Sequence, residues 1–511
     1  MKMKQLAYTI TFAALLVFSN SCKKDFLDVP PQGQLTEEQA LIDPAAADKM
    51  VAGVYNSLYL QGTVGLKYLI LGEIASDNSD KGSEPNDPGF GAIEIDPFAH
   101  NANTGILNDV WTDHYTGIAF ANKTLNILNS GTYEEATKNR LIGEVRFIRG
   151  LYYFNLVRIF GGVPKLIRVP ATSEAYSDEF QTRASKEEIY KVIEEDLLFG
   201  VNNLPERREA GSQVGRATKG AAQALLSKVY LYQENWQGAY EMSQAVINSG
   251  KYDLHPNYAL LFREVGENSI ESVFEVQATP IQIGTECEGI SKNYSNFQGP
   301  RGTFPKVTID GRTYEAGDLG FGLNTPTSDL AAAYEPNDQR RDATIIFTSP
   351  TDVVTLWDGF PIPPRPAVVN ERYNYKGYHS PFKEMASCNG DINDKDNKPK
   401  NIRVIRYAEV LLINAEAAAH IGADALTPLQ KVRARAGLTT TSATIDDIWE
   451  ERRLELAMEG DRFFDLVRQG RAGEVLRAHG KPFVTGKHEV FPIPQAQIDF
   501  SGGRMIQNPN Y

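Results

Sequence analysis

Apolar residues recur at three- and four-residue spacing through much of this 511-residue chain, the signature of helices with one buried face. Leu141, Val145, Ile148, Tyr152, Leu156 and Ile159 form one such stripe, and Gly161-Gly162-Val163-Pro164 supplies the glycine stop and trailing proline that end a helix. A second helix is predicted over Ala221–Gln233, with Ala221, Leu225, Val229 and Tyr232 in line. Asn235 can cap the next, which begins at Trp236, carries Ala239, Ser243 and Val246 on its stripe and ends at Gly250. Val410–Gly437 repeats the plan: Ala415, Ala418 and Ala419 in a first helix, a turn at Gly422-Ala423-Asp424, and Leu426, Leu429, Val432 and Ala436 along a second. Pairs of short antiparallel helices with alanine where they touch are the unit of tetratricopeptide-like arrays, here too degenerate to show a strict period.

Ile445–Arg468 reads as one further long helix, with Trp449, Leu456, Phe463 and Val467 on a shared face. Opposite charges three residues apart (Arg452–Glu455, Glu459–Arg462, Arg462–Asp465, Asp465–Arg468) predict pairs along its surface. The carboxylates around Glu450, Glu451, Glu455, Glu459 and Asp461 therefore read as a salt-bridged face docking on a neighbour rather than as catalytic groups.

Between about 251 and 400 the helical period fades. Val273, Phe274, Val276 and Ala278 suggest a strand, and residues 281–380 hold 10 Gly and 9 Pro. A stretch this long in a folded chain is expected to be ordered and functional. Gly62–Asn108 is similarly loop-like. The fold class predicted is mainly α: a tetratricopeptide-like helix-pair scaffold at about 40–250 and 400–511, with a large irregular, loop-rich insertion and a few short strands, all in one domain over 22–511.

The first residues predict a different fate. Lys2 and Lys4 precede a 13-residue apolar run, Leu6–Phe18, closed by Ser19-Asn20-Ser21-Cys22. This is the plan of a signal peptide over 1–21, too short to span a bilayer as a helix. The cysteine at the cleavage point makes Cys22 the expected lipidation site, although the usual leucine three places earlier is replaced by Ser19. The protein is then expected to be held on a membrane by its lipid without crossing it. The other cysteines, Cys287 and Cys388, could pair outside the cytoplasm; they sit in no metal-binding spacing.

Composition narrows the function. A formal charge of −13 argues against a nucleic-acid partner. The chain holds no nucleophile elbow, zinc-protease helix, phosphate loop or dinucleotide fingerprint, and no motif calls for a cofactor. Gly89-Phe90-Gly91 and Gly320-Phe321-Gly322 lack the third glycine of a phosphate-binding turn. The run Asp391, Asn393, Asp394, Asp396 and Asn397 lacks the central glycine and closing glutamate of a calcium loop and reads as a solvated turn. The 23 Tyr and 24 Phe leave rings to spare for a recognition surface.

An ordered set of blocks resembles the SusD/RagB family of outer-membrane lipoproteins. Cys22-Lys23-Lys24-Asp25-Phe26-Leu27-Asp28 with Pro30 is similar to the family's mature start, and Trp111, Tyr115, Ala121 and Asn122 to its early helix. Arg146–Phe154 with Phe160-Gly161-Gly162-Val163-Pro164, Arg216–Ala222, Arg406–Leu412 with Ala415-Glu416-Ala417, and Val432–Gly437 follow in the family's order. Glu451–Ala457 through Asp465-Leu466, Phe491-Pro492-Ile493-Pro494 and Gln507-Asn508-Pro509 complete the set.

The resemblance implies a non-catalytic, lipid-anchored protein on the cell outer membrane, facing the exterior. It would bind oligosaccharide or polysaccharide and deliver it to a TonB-dependent, SusC-like barrel. Capture of peptides on the same scaffold, or service chiefly as a transporter lid, is the alternative; a glycoside hydrolase is a weaker one. The ligand face is expected from the loops after the first helices and from the irregular middle. The residues there are Asp77, Asn78, Phe90, Phe98, Tyr294, Asn296, Phe297, Arg301, Phe304, Phe321 and Trp357. Sugars lay their apolar C–H faces on such rings and need polar partners for their hydroxyls. Trp111, Trp236 and Trp449 fall on helix faces and are expected in the core. Trp357, the one tryptophan in loop-like sequence, ranks first.

Overall fold

A computed structural model describes residues 36–278, 281–283, 286–288 and 294–511, the side chains of 281–283 and 286–288 excepted. The signal peptide, Cys22 and the side chain of Cys287 lie outside the described residues. Cys388 is disulfide-bonded.

The helices follow the apolar stripes. After α1 (Glu37–Ile42) and α2 (Pro44–Asn56) come two 26-residue helices, α3 (Gly105–Ser130) and α4 (Glu135–Phe160), which pack on each other. α4 is buried on every side from Leu141 to Phe160, except at Arg146, because α2, α3 and α5 (Lys186–Asn203) all pack against it. Its single sequence stripe understated this, since residues between the stripe positions, such as Phe147, Tyr153 and Phe154, are buried too.

α6 (Lys219–Tyr232) and α7 (Trp236–Asn248) form the first helix pair, and the Asn235 side chain caps α7 by accepting from the Gly238 N–H. α8 (Tyr407–Ile421) and α9 (Leu426–Arg435) form the second, with Gly422 in the left-handed conformation that ends α8. α7 packs directly on α8, where the Trp236 ring stacks on His420 at 3.7 Å and Asn414 donates to Ser243. The helical array thus continues across the irregular stretch as if that stretch were an insertion. Its entry and exit are stitched by an antiparallel pair, β2 (Ser272–Val276) with β6 (Ile402–Arg406).

Among the described residues of the insertion the strands come in pairs only. β3 (Leu323–Pro326) pairs with β1 (Ser79–Gly82), and β4 (Ile345–Phe347) with β5 (Arg372–Asn374). The β1–β3 pair joins the two loop-like stretches of the sequence. The earlier of these also contains a buried helical turn, Leu66–Leu69, running into a wider turn at Ile70–Ile74. A small core of Phe304, Tyr314, Phe360, Tyr373, Tyr378 and Phe382 fills the insertion. Among the described residues no helix is long and apolar enough to cross a membrane.

The predicted long helix over Ile445–Arg468 is broken. α10 (Ile445–Glu455) and α11 (Arg462–Arg468) flank a turn in which Met458 and Gly460 have φ of 68° and 94°. The N–H groups of Met458 and Gly460 donate to the two carboxylate oxygens of buried Glu73, at 2.8 and 2.7 Å. Gly72 lies so close that a Cβ there would sit 1.8 Å from the Gly460 carbonyl oxygen. A distant carboxylate therefore overrides the local helical pattern. α12 (Ala472–Ala478) and α13 (Gln495–Phe500) follow.

The charges of α10 and α11 also look outward. Asp465–Arg468 forms at 2.9 Å as predicted, but Arg452 bonds Glu409 and Asp465, each at 2.7 Å. Glu455 receives Arg340 at 3.0 Å and Arg406 and Arg435 at 2.5 Å each. Burial alone would raise the Glu455 carboxyl, but these three guanidiniums hold it well below the usual value. The docking face is thus a buried network that reaches other elements rather than a surface ladder along one helix. Asp77 belongs to the same system: its carboxylate accepts from Arg462 at 2.8 and 3.0 Å and lies 3.1 Å from Arg453. Burial opposes ionisation there too, yet the two arginines draw the carboxyl down to about 2.

Two outcomes follow. Glu455→Gln takes one carboxylate from three buried guanidiniums that share it and should lower the unfolding free energy by about 3–5 kcal/mol in urea titrations. Asp77→Asn should cost about 2 kcal/mol at pH 7. Because the folded Asp77 carboxyl is depressed, its stabilisation is full above the unfolded value of 3.8 and is lost as pH falls through about 2. The wild-type advantage over Asp77→Asn should therefore vanish near that pH in paired unfolding curves; a constant difference would refute the assignment.

Candidate functional site

The two Gly-Phe-Gly triplets meet in space. In the first, Gly89, Phe90 and Gly91 take φ of 52°, 56° and 101°, three left-handed residues in succession. For a phenylalanine this conformation is strained by about 1–3 kcal/mol and persists only where the surroundings impose it. They do: Asp87 accepts from the Gly89 N–H at 3.1 Å, and a Cβ on Gly91 would lie 3.0 Å from Ile106. The result is a phenyl ring pushed outward, 41% exposed.

The second triplet is clamped from the other side. The Phe321 N–H donates to the Asn296 carbonyl at 2.6 Å and the Gly322 N–H to the Gly299 carbonyl at 2.9 Å. A Cβ on Gly320 would lie 2.3 Å from the Asn296 carbonyl oxygen, so only glycine permits that approach. The Phe321 ring then lies 6.2 Å from Phe90, tilted by 32°, while fully buried Phe297 meets Phe90 edge-on at 5.8 Å.

Polar groups rim this platform. Arg301 donates to Ser83 at 2.5 Å and pairs with Asp87 at 2.7 Å. Partial burial would raise the Asp87 carboxyl, but the Gly89 N–H and Arg301 hold it below its usual value. Asn370 accepts from the Ser83 N–H at 3.1 Å and donates to the Gly322 carbonyl at 2.7 Å, tying the two triplets together. The Lys395 ammonium lies 5.4 Å from the centre of the Phe321 ring. Adjacent rings with amide, guanidinium and ammonium donors beside them can hold a flat, hydroxylated ligand by stacking and hydrogen bonding.

Of the predicted ligand residues, Phe90, Phe321 and Arg301 converge here at the surface, with Asn296 and Phe297 beneath as supports. Several others are claimed by the interior. Asp77 is neutralised by Arg462 and Arg453, and the Asn78 side chain accepts from Arg453 at 2.9 Å. Phe98 packs among Phe463, Phe483 and His488, and Phe304 against Phe360. Tyr294 lines a cavity of about 70 Å³ with Arg158 and Lys376, and burial pushes its hydroxyl up to about 12.

Trp357 stands apart. It sits in the turn between Val354–Thr355 and Pro361–Ile362, its N–H bonded to the Tyr375 hydroxyl at 2.8 Å, Arg263 5.7 Å from the ring and the ring 41% exposed. Among the described residues no ring contact links it to Phe90 or Phe321. Trp111 is buried as expected, whereas Trp236 and Trp449 are half-buried at helix edges.

Sequence reasoning missed Ser83, Asp87, Asn370 and Lys395. The one available signal was the paired Gly-Phe-Gly triplets, whose rings Phe90 and Phe321 the sequence already assigns to the ligand face. In the Asp391–Asn397 run, side-chain oxygens of Asp391 and Asp394 cap their own turn, accepting from the N–H groups of Asn393 and of Asp396 and Asn397. Among the described residues no group of three or more His, Cys, Asp or Glu converges as a metal site.

Comparison with known proteins agrees with this architecture. The SusD family profile matches residues 308–511, and a second, described as "Starch-binding associating with outer membrane", matches residues 25–231. A SusD-like protein of Bacteroides ovatus is 27% identical over 502 residues, covering 91% of this chain and 82% of that protein. The structure of a laminarin binding SusD-like protein superposes with a TM-score of 0.76 at 30% identity, covering 91% of this chain and 99% of the other. Surface glycan-binding protein A from Bacteroides thetaiotaomicron, solved in complex with laminarihexaose, shares the fold with a TM-score of 0.75 at 24% identity, covering 92% and 100% of the two chains. By its helix-pair array, its irregular insertion and these matches, the chain belongs to the SusD family.

Proposed function

We propose that this protein captures an oligosaccharide on the outer-membrane surface and passes it to a SusC-like, TonB-dependent barrel, without chemistry of its own. The observation that carries the reading is Phe90, a ring kept exposed at a conformational cost and set beside Phe321. Strain of that kind accumulates where presentation of a side chain matters more than stability. A carbohydrate ligand is supported by the relatives: a laminarin binding SusD-like protein, a surface glycan-binding protein solved with laminarihexaose, and the starch-binding protein SusD of Bacteroides thetaiotaomicron. Lipidation at Cys22 and the barrel partner rest on the resemblance of the sequence blocks. Phe90, Phe321, Arg301, Asn370 and Lys395 form the proposed contact set, with Trp357 as a separate ring that a longer glycan could reach.

The platform is tested with a panel of oligosaccharides that includes laminarihexaose, by calorimetric titration. Phe90→Gly removes the ring and relieves the left-handed strain, so affinity should fall about tenfold. Stability should stay within about 1 kcal/mol of wild type. Phe98→Ala, which hollows the core around Phe463 and Phe483, should instead cost about 3–5 kcal/mol. Unchanged affinity in Phe90→Gly would remove the platform from the function. Trp357→Ala should weaken long glycans while leaving the melting temperature in place; equal affinity for every chain length would exclude that ring.

A further inference from the structure

A second concave surface lies on the helical scaffold, built from residues none of which belongs to the platform. Trp111 and Tyr115 on α3 form one wall, the 164–181 loop folds over them, and the C-terminal segment from α13 to Met505 closes the third side. The cleft measures about 470 Å³, within the usual range for small-ligand sites. Two rings stand at it largely in solvent: Tyr176 is 67% and Phe500 65% exposed. Large rings left this exposed beside a cleft mark a recognition surface more often than a packing accident.

The chemistry of the walls restricts the occupant. None of the residues lining the cleft carries a charge, so a charged ligand would find no partner inside it. The polar groups are hydroxyls and amides. Tyr115 donates its proton to the Pro164 carbonyl at 2.8 Å and keeps its lone pairs as acceptors. Gln181, 5% exposed, donates through Nε2 to the Ala175 carbonyl at 2.8 Å, while its buried Oε1 receives no hydrogen bond among the described residues. A buried amide oxygen left without a donor is costly and calls for one.

We infer that this cleft is a second carbohydrate site, taking about one to two neutral pyranose units whose apolar faces lie on Tyr176 and Phe500 and whose hydroxyls donate toward Gln181 and Tyr115. It is distinct from the Gly-Phe-Gly platform, and shares with the proposed function only the premise that the ligand is a sugar. Two separate sites would let one long glycan that reaches both bind with an avidity neither site has alone.

The test titrates uncharged oligosaccharides, from disaccharides to laminarihexaose, into wild type, Phe90→Gly and the double variant Tyr176→Ala/Phe500→Ala. Both replaced rings of the double variant are exposed, so its fold should hold, as a thermal melt will check. Wild type should show two binding events. The double variant should weaken one about tenfold and leave the other, and Phe90→Gly should do the converse. If Phe90→Gly abolishes all binding and the double variant behaves as wild type, the cleft is overturned and the platform stands. If only the double variant loses binding, the platform falls and the cleft stands. A cleft that binds 4-nitrophenol but no saccharide overturns the sugar assignment, and a wild type that binds no saccharide overturns both sites.

Discussion

The fold turns on one buried carboxylate. Glu455, at the end of α10, receives guanidiniums from Arg340 in the insertion, Arg406 at the end of β6 and Arg435 at the end of α9. Arg340 also binds Asp338 and Glu451, and Arg406 binds Glu271 and Glu459, so the charges are shared rather than stacked in excess. Ion pairs this deep contribute little net stability relative to well-packed apolar groups, but breaking one partner is expensive. Their effect is to reject alternatives. An insertion built of two-stranded sheets, which are marginal by themselves, gains one position on the scaffold because any other would strand a buried charge.

From that anchor, order spreads to the platform. Lys376, in the insertion, reaches Glu459 at 2.7 Å, one turn beyond Glu455. Arg453 and Arg462 hold Asp77, immediately before β1, and β1 pairs with β3 directly after the second Gly-Phe-Gly triplet. The first triplet follows β1 by a few residues. The strained backbone at Phe90 is thus supported by a chain of contacts that begins in the charge network. Asp77 and Asn78, both expected from the sequence as ligand contacts, carry this support instead.

Much of the scaffold was legible in the sequence because its determinants are local. The Asn235 cap, the Gly161 stop, the Gly422 turn and the apolar stripes of α6 to α9 each depend on residues within a turn or two. The site was legible only in part. The expected set placed Phe90, Phe321 and Arg301, which the fold brings together, beside Phe98 and Phe304, which have the same local composition and are buried. No local signal separates a ring that faces solvent from one that faces a neighbour.

The sequence by itself determined the helix pairs, the irregular insertion and the family, since periodicity, caps and ordered motifs are properties of neighbouring residues. Only the tertiary structure decided which charges are buried and which rings are free. Glu73 breaks the predicted long helix from nearly four hundred residues away, and two glycine-flanked phenylalanines far apart in the chain become one surface. Both depend on which distant groups must satisfy a buried carboxylate or an unpaired N–H, and that is settled by three-dimensional packing rather than by sequence spacing.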